Sequence, residues 1–295
     1  MLIDLKYHLI SLVAVFLALA VGILVGSSFI AGTSVKGLEK QFAKLREENR
    51  AQQTTVDSLR GAAQKYEEFD RAVAPILVAN QLSQRRIAII QTGDFTEAAQ
   101  SAKSILEQAG AIVGSVTTLS NLDAPDAQER VARAIEQLTG ETDLTDPVAR
   151  FLEIVANSIV RGSNPQALSA FEKEDLLTTS GDYEHKALRI VLIGGGRRRV
   201  SLQPQHVDLV LIDKLHAAEV VSLVGAEPAV AVTSYIPMYH RKSIPTVDNV
   251  DQAMGQVALV FAVAGENANF GVKPSADKVV PSSLESMQWH DASAR

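Results

Sequence analysis

The chain has 295 residues and not one of them is cysteine. That absence excludes disulfide bonds, thiolate metal sites and cysteine nucleophiles. An excess of positive charge is also missing, because 28 Lys and Arg residues stand against 34 Asp and Glu residues, for a net charge of -6. Binding to nucleic-acid phosphates needs clustered cations, and the runs at Arg85 and Arg86 and at 197–199 are short. We therefore expect no nucleic-acid partner.

Common catalytic motifs are missing as well. No serine lies in a GxSxG turn, and no HExxH or other histidine pair has the spacing of a zinc site. The stretch "IGGGRRR" lacks the third glycine of the dinucleotide-binding pattern GxGxxG. These absences predict a protein that is not an enzyme and that carries no resident cofactor.

Charge is absent from residues 9–30, within "HLISLVAVFLALAVGILVGSS". A helix of that length reaches the roughly 30 Å of a bilayer's hydrocarbon core. The run is longer than the apolar part of a secretory signal, which favours an uncleaved transmembrane anchor over residues 1–31. Cleavage after residues 26–28 is the alternative. Basic residues following the run would keep the rest of the chain in the cytoplasm, although long domains often cross regardless of charge, so the sequence leaves the topology open.

In the N-terminal third of the chain, small residues at a spacing of four are followed by apolar residues at heptad spacing. Gly22 and Gly26 form a GxxxG, the spacing that lets two membrane helices approach closely. Asn49 falls at an a-type heptad position, where a buried amide favours two strands. The pattern predicts a coiled-coil stalk over residues 32–80 and a parallel homodimer, with a single helix folding back on the globular part as the alternative. The seam runs in alternating steps of four and three residues: Leu38, Phe42, Leu45, Asn49, Gln52, Val56, Leu59, Ala63, Tyr66, Asp70 and Val73.

Short apolar runs alternate with helical stretches from residue 81 to residue 265. Val- and Ile-rich strands separated by helices predict an α/β fold with a mostly parallel, Rossmann-like sheet. We predict a helix over 215–225 and another that ends at Gly265, with Asp248 or Asn249 as the N-cap of the latter. Residues 266–295 are predicted to be irregular. The predicted strands are "RRIAIIQTG", "AIVGSVTTL", "LRIVLIGGG", "VDLVLID" and "PAVAVTS", and the other predicted helices follow Asp94 or Thr96 up to Gly110 and cover 126–138, 147–160 and 165–177.

Two places are candidates for binding. Glycines at a strand end can bring backbone amides to a phosphate, and a nearby carboxylate can face the same cleft. The alternatives are a plain turn and helix capping. Met238 and His240 in "SYIPMYH" offer a thioether and an imidazole to a soft metal such as copper, with ordinary packing as the alternative. The cleft candidates are Gly194, Gly195, Gly196 and Asp213, with Asp94 as a second carboxylate.

Three stretches in series carry a resemblance. They are the apolar run with its heptads, "TVDNVDQAMGQVALVFAVAG", and "NFGVKPSADKVVPSS". In this order they resemble the MctB family, mycobacterial copper transport protein B, over nearly the whole chain. The resemblance implies an envelope protein of copper homeostasis whose C-terminal domain is translocated across the cell membrane. It supplies no catalytic residues, and one transmembrane helix per chain is not a pore unless several chains surround a lumen.

The combined interpretation is a single-pass, homodimeric envelope protein that contributes to copper homeostasis or efflux. Copper is then a ligand or a transported species rather than a cofactor. Two alternatives stay open: a non-catalytic coiled-coil scaffold for other envelope proteins, and an α/β sensor or enzyme that uses the cleft at Gly194 to Gly196.

Overall fold

A computed structural model of the chain describes residues 4–198 and 204–285. It divides the chain into two compact units, Met1–Tyr66 and Glu67–Arg295. Helix α1 (Asp4–Val78) supplies the described part of the first unit and continues into the second. The sequence-predicted boundaries near residues 31, 80 and 265 stay predictions.

The first unit is helical and exposes its apolar side chains. Lys6–Ser27 is long and apolar enough to cross a membrane, as judged from length and composition, and a signal sequence has the same character. Leu38, Phe42, Leu45 and Leu59 are each more than half exposed in the single chain. These four side chains of the predicted heptad seam therefore face solvent in the single chain, and the coiled coil itself stays a prediction.

The second unit is built on one sheet of seven strands, in the order β3-β2-β1-β4-β5-β6-β7. Every neighbouring pair is parallel except β2 and β3, which are antiparallel. This confirms the predicted α/β class with a mostly parallel sheet. The strands are β1 (Arg86–Gln91), β2 (Ile112–Leu119), β3 (Leu177–Gly181), β4 (Arg189–Ile193), β5 (Ser222–Ala226), β6 (Thr246–Val247) and β7 (Asn269–Phe270).

Helices cover both faces of this sheet. Strand side chains alternate between two buried clusters: Ala88 and Ile90 pack with α3 to α6, whereas Ile87 and Ile89 pack with α2, α8 and the end of α1. This period of two explains why the strands are apolar on both faces. The helices are α2 (Thr96–Gln108), α3 (Ala127–Thr139), α4 (Pro147–Arg161), α5 (Pro165–Lys173), α6 (Leu209–Ala217), α7 (Ile236–Tyr239), α8 (Ala253–Ala264) and α9 (Ser282–Glu285), with a π-helical turn over Pro204–Asp208 and a 3₁₀ turn over His240–Lys242.

Two predicted strands and one predicted helix are wrong. "VDLVLID" is helical, because Val207, Leu211 and Leu215, four residues apart, all point into the same core cluster. "PAVAVTS" is an irregular segment in which Val230 and Val232 are mostly exposed. The strand of this region is β5, and all of it except Ala226 lies in the range 215–225 predicted as a helix. Short apolar runs fit either structure, so periodicity could not separate them.

Helix α8 confirms the prediction of a buried apolar helix, but its N-cap is Gln252 rather than Asp248 or Asn249. Those two residues are buried and serve other contacts. Gly265 ends the helix as predicted, with φ of 128°. The following residues include β7 and α9, so the described part of the tail is tied to the sheet rather than wholly irregular.

Candidate functional site at the carboxyl edge of the sheet

The glycine turn after β4 is closely packed. The Gly194 amide donates to the Ala226 carbonyl at 2.8 Å, and the Gly196 amide donates to the Thr233 carbonyl at 2.9 Å. A Cβ at Gly194 would overlap the Tyr239 hydroxyl and the Tyr235 ring. Two of the three candidate amides therefore already have carbonyl partners, and glycine serves here to let the tyrosines approach.

The turns after β1 and β4 are bonded to each other. The Asp94 amide donates to the Gly195 carbonyl at 2.9 Å, and the Asp94 carboxylate accepts from the Arg197 amide at 2.8 Å. Parallel α/β sheets bind ligands where the strand order reverses, which in this sheet is between β1 and β4. Here the chain's own backbone bridges that position, and the ligand cleft predicted at Gly194 to Gly196 stays a prediction.

Asp213 has a different partner. Because residues 209–217 form α6, Asp213 lies on a helix rather than at a strand end, and its carboxylate pairs with Lys242 Nζ at 2.6 Å. The glycine turn, through Tyr235 and Tyr239, and Asp213, through Lys242, thus both contact segment 235–242. That segment also contains Met238 and His240, so the structure gathers the separately predicted groups around it.

A buried carboxyl group lies beside the glycine turn. Asp208 is fully buried at the end of the π-helical turn, and its Oδ2 accepts from Thr92 Oγ1 at 2.8 Å and from the Tyr239 hydroxyl at 2.5 Å. Within residues 4–198 and 204–285, no group donates to its Oδ1. Burial raises the pKa of Asp208 to about 7, against which the two hydroxyl donors act to lower it. Burial also raises the pKa of Tyr239, and the Asp208 charge adds to that shift.

A second buried acid follows β5. Glu227 is 0% exposed and accepts from Lys273 Nζ at 2.5 Å and from the Tyr235 amide at 2.7 Å. Asp248, after β6, accepts from the amides of Val272 and Lys273 at 2.9 Å each. These carboxylates bind the segment after β7 to the ends of β5 and β6.

Met238 and His240 are helical rather than in a loop. Met238 lies in α7 and His240 begins the 3₁₀ turn, so the two stand two positions apart on a helical path. Positions i and i+2 of a helix do not face each other, which disfavours one ion held by both side chains of one chain. Both are half-buried, and His240 Nε2 lies 3.0 Å from Thr246 Oγ1.

No group of three or more His, Cys, Asp or Glu side chains among the described residues is arranged to hold a metal ion. The sequence search also missed Asp208, Glu227 and Lys273. Asp208 was assigned to a strand, and Glu227 carries no local pattern that distinguishes it from a surface acid. The signal for Lys273 was its place in "NFGVKPSADKVVPSS", one of the stretches that carried the resemblance.

The fold and these contacts define a class of protein. It is an α/β unit in which the chain's own turns and side chains occupy the carboxyl ends of the strands, and a long helix with one apolar span precedes this unit in the chain. The chain belongs to the MctB family, whose model, described as "Copper transport outer membrane protein, MctB", matches residues 2–281. Proteins named copper transporter MctB from Mycobacterium bovis and Mycobacterium tuberculosis are each 22% identical to it over 291 residues, covering 89% of this chain and 92% of the relative. The family is named for copper transport rather than for a reaction.

Two of the stretches that carried the resemblance are joined in space. "TVDNVDQAMGQVALVFAVAG" contributes β6 and α8, and "NFGVKPSADKVVPSS" contributes β7, which pairs with β6. Asp248 and Thr246 from the first stretch bond to Lys273 and Asn269 from the second. The resemblance therefore maps onto one hydrogen-bonded edge of the α/β unit, beside His240.

Proposed function

We propose that this protein contributes to copper homeostasis or efflux as a membrane-anchored protein of the cell envelope. The observation that carries the proposal is the family match, which spans the apolar helix and almost the whole α/β unit. The relatives named copper transporter MctB are matched over nine-tenths of their length, so the comparison covers the chain rather than one shared module.

In this proposal Lys6–Ser27 stays as a single-pass anchor and the α/β unit lies outside the cytoplasmic membrane. The 22 residues of the span exceed the apolar part of a cleaved signal. The family description calls its members outer-membrane proteins, and export of such proteins from the cytoplasm supports this orientation. A chain without cysteine has no thiol to lose in an oxidising compartment.

Deleting the gene is expected to raise cell-associated copper under copper load. The measurement is elemental analysis of the deletion strain, the same strain complemented with the full chain, and the wild type, with zinc as the matched control metal. Copper that rises in the deletion strain and returns to the wild-type level on complementation is the expected result. Equal copper in all three strains would contradict the proposal and favour the scaffold alternative.

Copper would meet the α/β unit at the segment that holds Met238 and His240. Thioether and imidazole are the side chains in this cysteine-free chain that suit Cu(I). His240 is half-buried and connected to the family stretches through Thr246. Because the helical path separates the two side chains, the proposal rests on His240, with Met238 as a second contact for the ion along its route.

We further propose that the chain forms a parallel homodimer through α1. The seam exposes apolar side chains at heptad spacing, with Asn49 and Gln52 between Leu45 and Val56, and exposed apolar patches of this kind mark interaction surfaces. Apart from the neighbouring residues and backbone of the helix itself, no described atom lies within 4 Å of where a Cβ would stand at Gly22 or Gly26, so this surface is open to a second helix. Asn49 is exposed in the single chain, and in the proposed dimer its amide would pair with Asn49 of the second chain.

Single-cysteine variants test the dimer on a chain that has no cysteine of its own. Leu45→Cys places a thiol on the seam, and Glu47→Cys places one on the opposite side of the same helix. In membranes treated with a mild oxidant, we expect Leu45→Cys to run as a covalent dimer and Glu47→Cys to remain a monomer. Equal cross-linking of both variants would indicate random collision, and no cross-linking of either would contradict the parallel pairing.

A further inference from the structure

We infer that His240 presents Nδ1 as its ion-binding atom, because a hydrogen-bond relay from Asp277 holds the proton on Nε2. The inference rests on the proposed copper function and assigns an atom and a positioning device to the same segment. It follows from counting donors and acceptors along four side chains: Asp277, Asn269, Thr246 and His240.

The first link sets the orientation of an amide. Asn269 Nδ2 donates to Asp277 Oδ2 at 2.8 Å, and a carboxylate can only accept, so the NH₂ group must face it. The backbone adds to this pairing, since the Asp277 amide donates to the Asn269 carbonyl at 2.8 Å. Asn269 Oδ1 is therefore turned the other way, towards Thr246.

The second link uses the one hydroxyl proton of Thr246. Thr246 Oγ1 lies 2.9 Å from Asn269 Oδ1, an atom that can only accept, so the hydroxyl must donate to it. Thr246 is 1% exposed, so bulk water does not compete for its hydroxyl group. With its proton committed, Thr246 Oγ1 can only accept from His240.

The third link sets the tautomer. His240 Nε2 lies 3.0 Å from Thr246 Oγ1 and must carry the proton that this bond requires. In the neutral imidazole Nδ1 then holds the free lone pair. No hydrogen bond joins Nδ1 to any side chain in the described part of the chain. Metal-binding histidines commonly have this arrangement, in which the second ring nitrogen donates to a fixed partner.

One imidazole is suited to an ion that is passed on rather than stored. The described residues hold no set of three His, Cys, Asp or Glu ligands, so within that part of the chain His240 belongs to no closed site of that kind. A transported ion must be bound well enough to arrive and weakly enough to leave. The Nδ1 of the half-buried His240, whose tautomer the relay sets, supplies a single ligand for that step.

The test is nitrogen NMR of the full chain in nanodiscs, with ¹⁵N-labelled histidine, at about pH 8.5 so that the imidazoles are neutral. His240→Gln assigns the His240 signals among the six histidines. Ag(I), a redox-inert ion of the same charge as Cu(I), is the probe. We expect a protonated Nε2 and an unprotonated Nδ1 before addition, and a shift of Nδ1 on addition.

Thr246→Val removes the hydroxyl while keeping the shape, and Thr246→Ser restores it. The valine variant is expected to show mixed tautomers and Ag(I) binding at His240 about 10- to 100-fold weaker, and the serine variant is expected to behave as the wild type. Thr178→Val, an exposed change on β3, is the matched control and should alter neither readout.

Protonated Nδ1 in the wild type would overturn the relay without using any metal. The expected tautomer with no response of His240 to Ag(I) would overturn its role as a ligand. Both results are separable from failure of the copper function, because a His240→Gln chain that restores normal cell copper would leave that function standing and exclude this histidine.

Discussion

Lys273→Met is expected to lower the free energy of unfolding of the α/β unit by about 3–5 kcal/mol, the usual cost of removing one partner from a buried ion pair. Glu227 is 0% exposed and receives Lys273 Nζ at 2.5 Å. Methionine keeps the apolar stem but removes the ammonium group. The Tyr235 amide then remains as the donor to a carboxylate that water cannot reach.

The loss should be recovered in large part by a second substitution. Glu227→Gln on the Lys273→Met background removes the unpaired charge while its amide oxygen can still accept from the Tyr235 amide. The double mutant is therefore expected to be more stable than Lys273→Met alone. A double mutant more stable than Lys273→Met would show that the loss of stability comes from the isolated Glu227 charge and not from lost packing.

The measurement is urea-induced unfolding of the full chain in detergent, followed by circular dichroism. Lys278→Met, which changes an exposed lysine in the same family stretch, is the matched control and is expected to stay within about 0.5 kcal/mol of the wild type. A loss below about 1 kcal/mol for Lys273→Met would mean that the Glu227 carboxylate is compensated in some other way, and the buried pair would no longer explain how this segment is held.

Asp208→Asn is expected to remove a pH dependence of stability between about pH 4 and pH 7. The pKa of Asp208 is raised from 3.8 to about 7 by burial. The folded chain therefore binds this proton more tightly than the unfolded chain, and stability falls as pH rises through that range. Above about pH 7 the contribution is lost, because the ionised carboxylate stays buried. A shift of about three pKa units corresponds to roughly 4 kcal/mol at most.

Asparagine imitates the neutral carboxyl group, because its oxygen can accept from Thr92 and Tyr239 in place of Oδ2. At about pH 8 we therefore expect Asp208→Asn to be more stable than the wild type, and near pH 4 we expect the two to be similar. Groups whose pKa is lowered in the folded chain, such as Glu153 beside Lys214, lose their contribution below their unfolded pKa and act in a more acidic range.

Urea unfolding of both chains at several values from pH 4 to pH 8 tests this expectation. Asp123→Asn changes an exposed carboxyl group and controls for the loss of one charge. Parallel stability profiles of the wild type and Asp208→Asn would contradict the assignment. A profile that flattens in the variant would identify Asp208 as a proton-binding group inside the α/β unit.

Local pattern was enough for much of the architecture. The strand at Arg86–Gln91 and the one at Arg189–Ile193 are short Val- and Ile-rich runs bounded by turns, and such runs are characteristic of strands buried on both faces. Pro147 after Asp146 marks a helix start, and the Asp146 side chain accepts from the Ala149 amide as such a cap should. The glycine turn after β4 is also evident in the sequence as "IGGG", although its close packing against Tyr235 and Tyr239 is not.

Local pattern failed where one short apolar run fits either a buried strand or a buried helix. The run "VDLVLID" is a short apolar run such as a buried strand has, and together with the following Leu215 it also places Val207 and Leu211 on one helical face. Which face is buried depends on α4 and the sheet, which lie far away in sequence. The same limit applies to Met238 and His240, because their spacing in sequence fits paired ligands in a loop but not on the helical path that they follow.

The sequence by itself determined the α/β class, the uncharged N-terminal span, the heptad spacing after it and the stretches that mark the family, because each depends on residues close together in the chain. The tertiary structure decided which acids are buried and which atoms face each other. Thr92 and Asp208 are 116 residues apart, and Glu227 and Lys273 are 46 apart. Contacts across such separations arise when sheet order and helix packing bring distant strand ends together, and no local pattern of residues encodes that meeting.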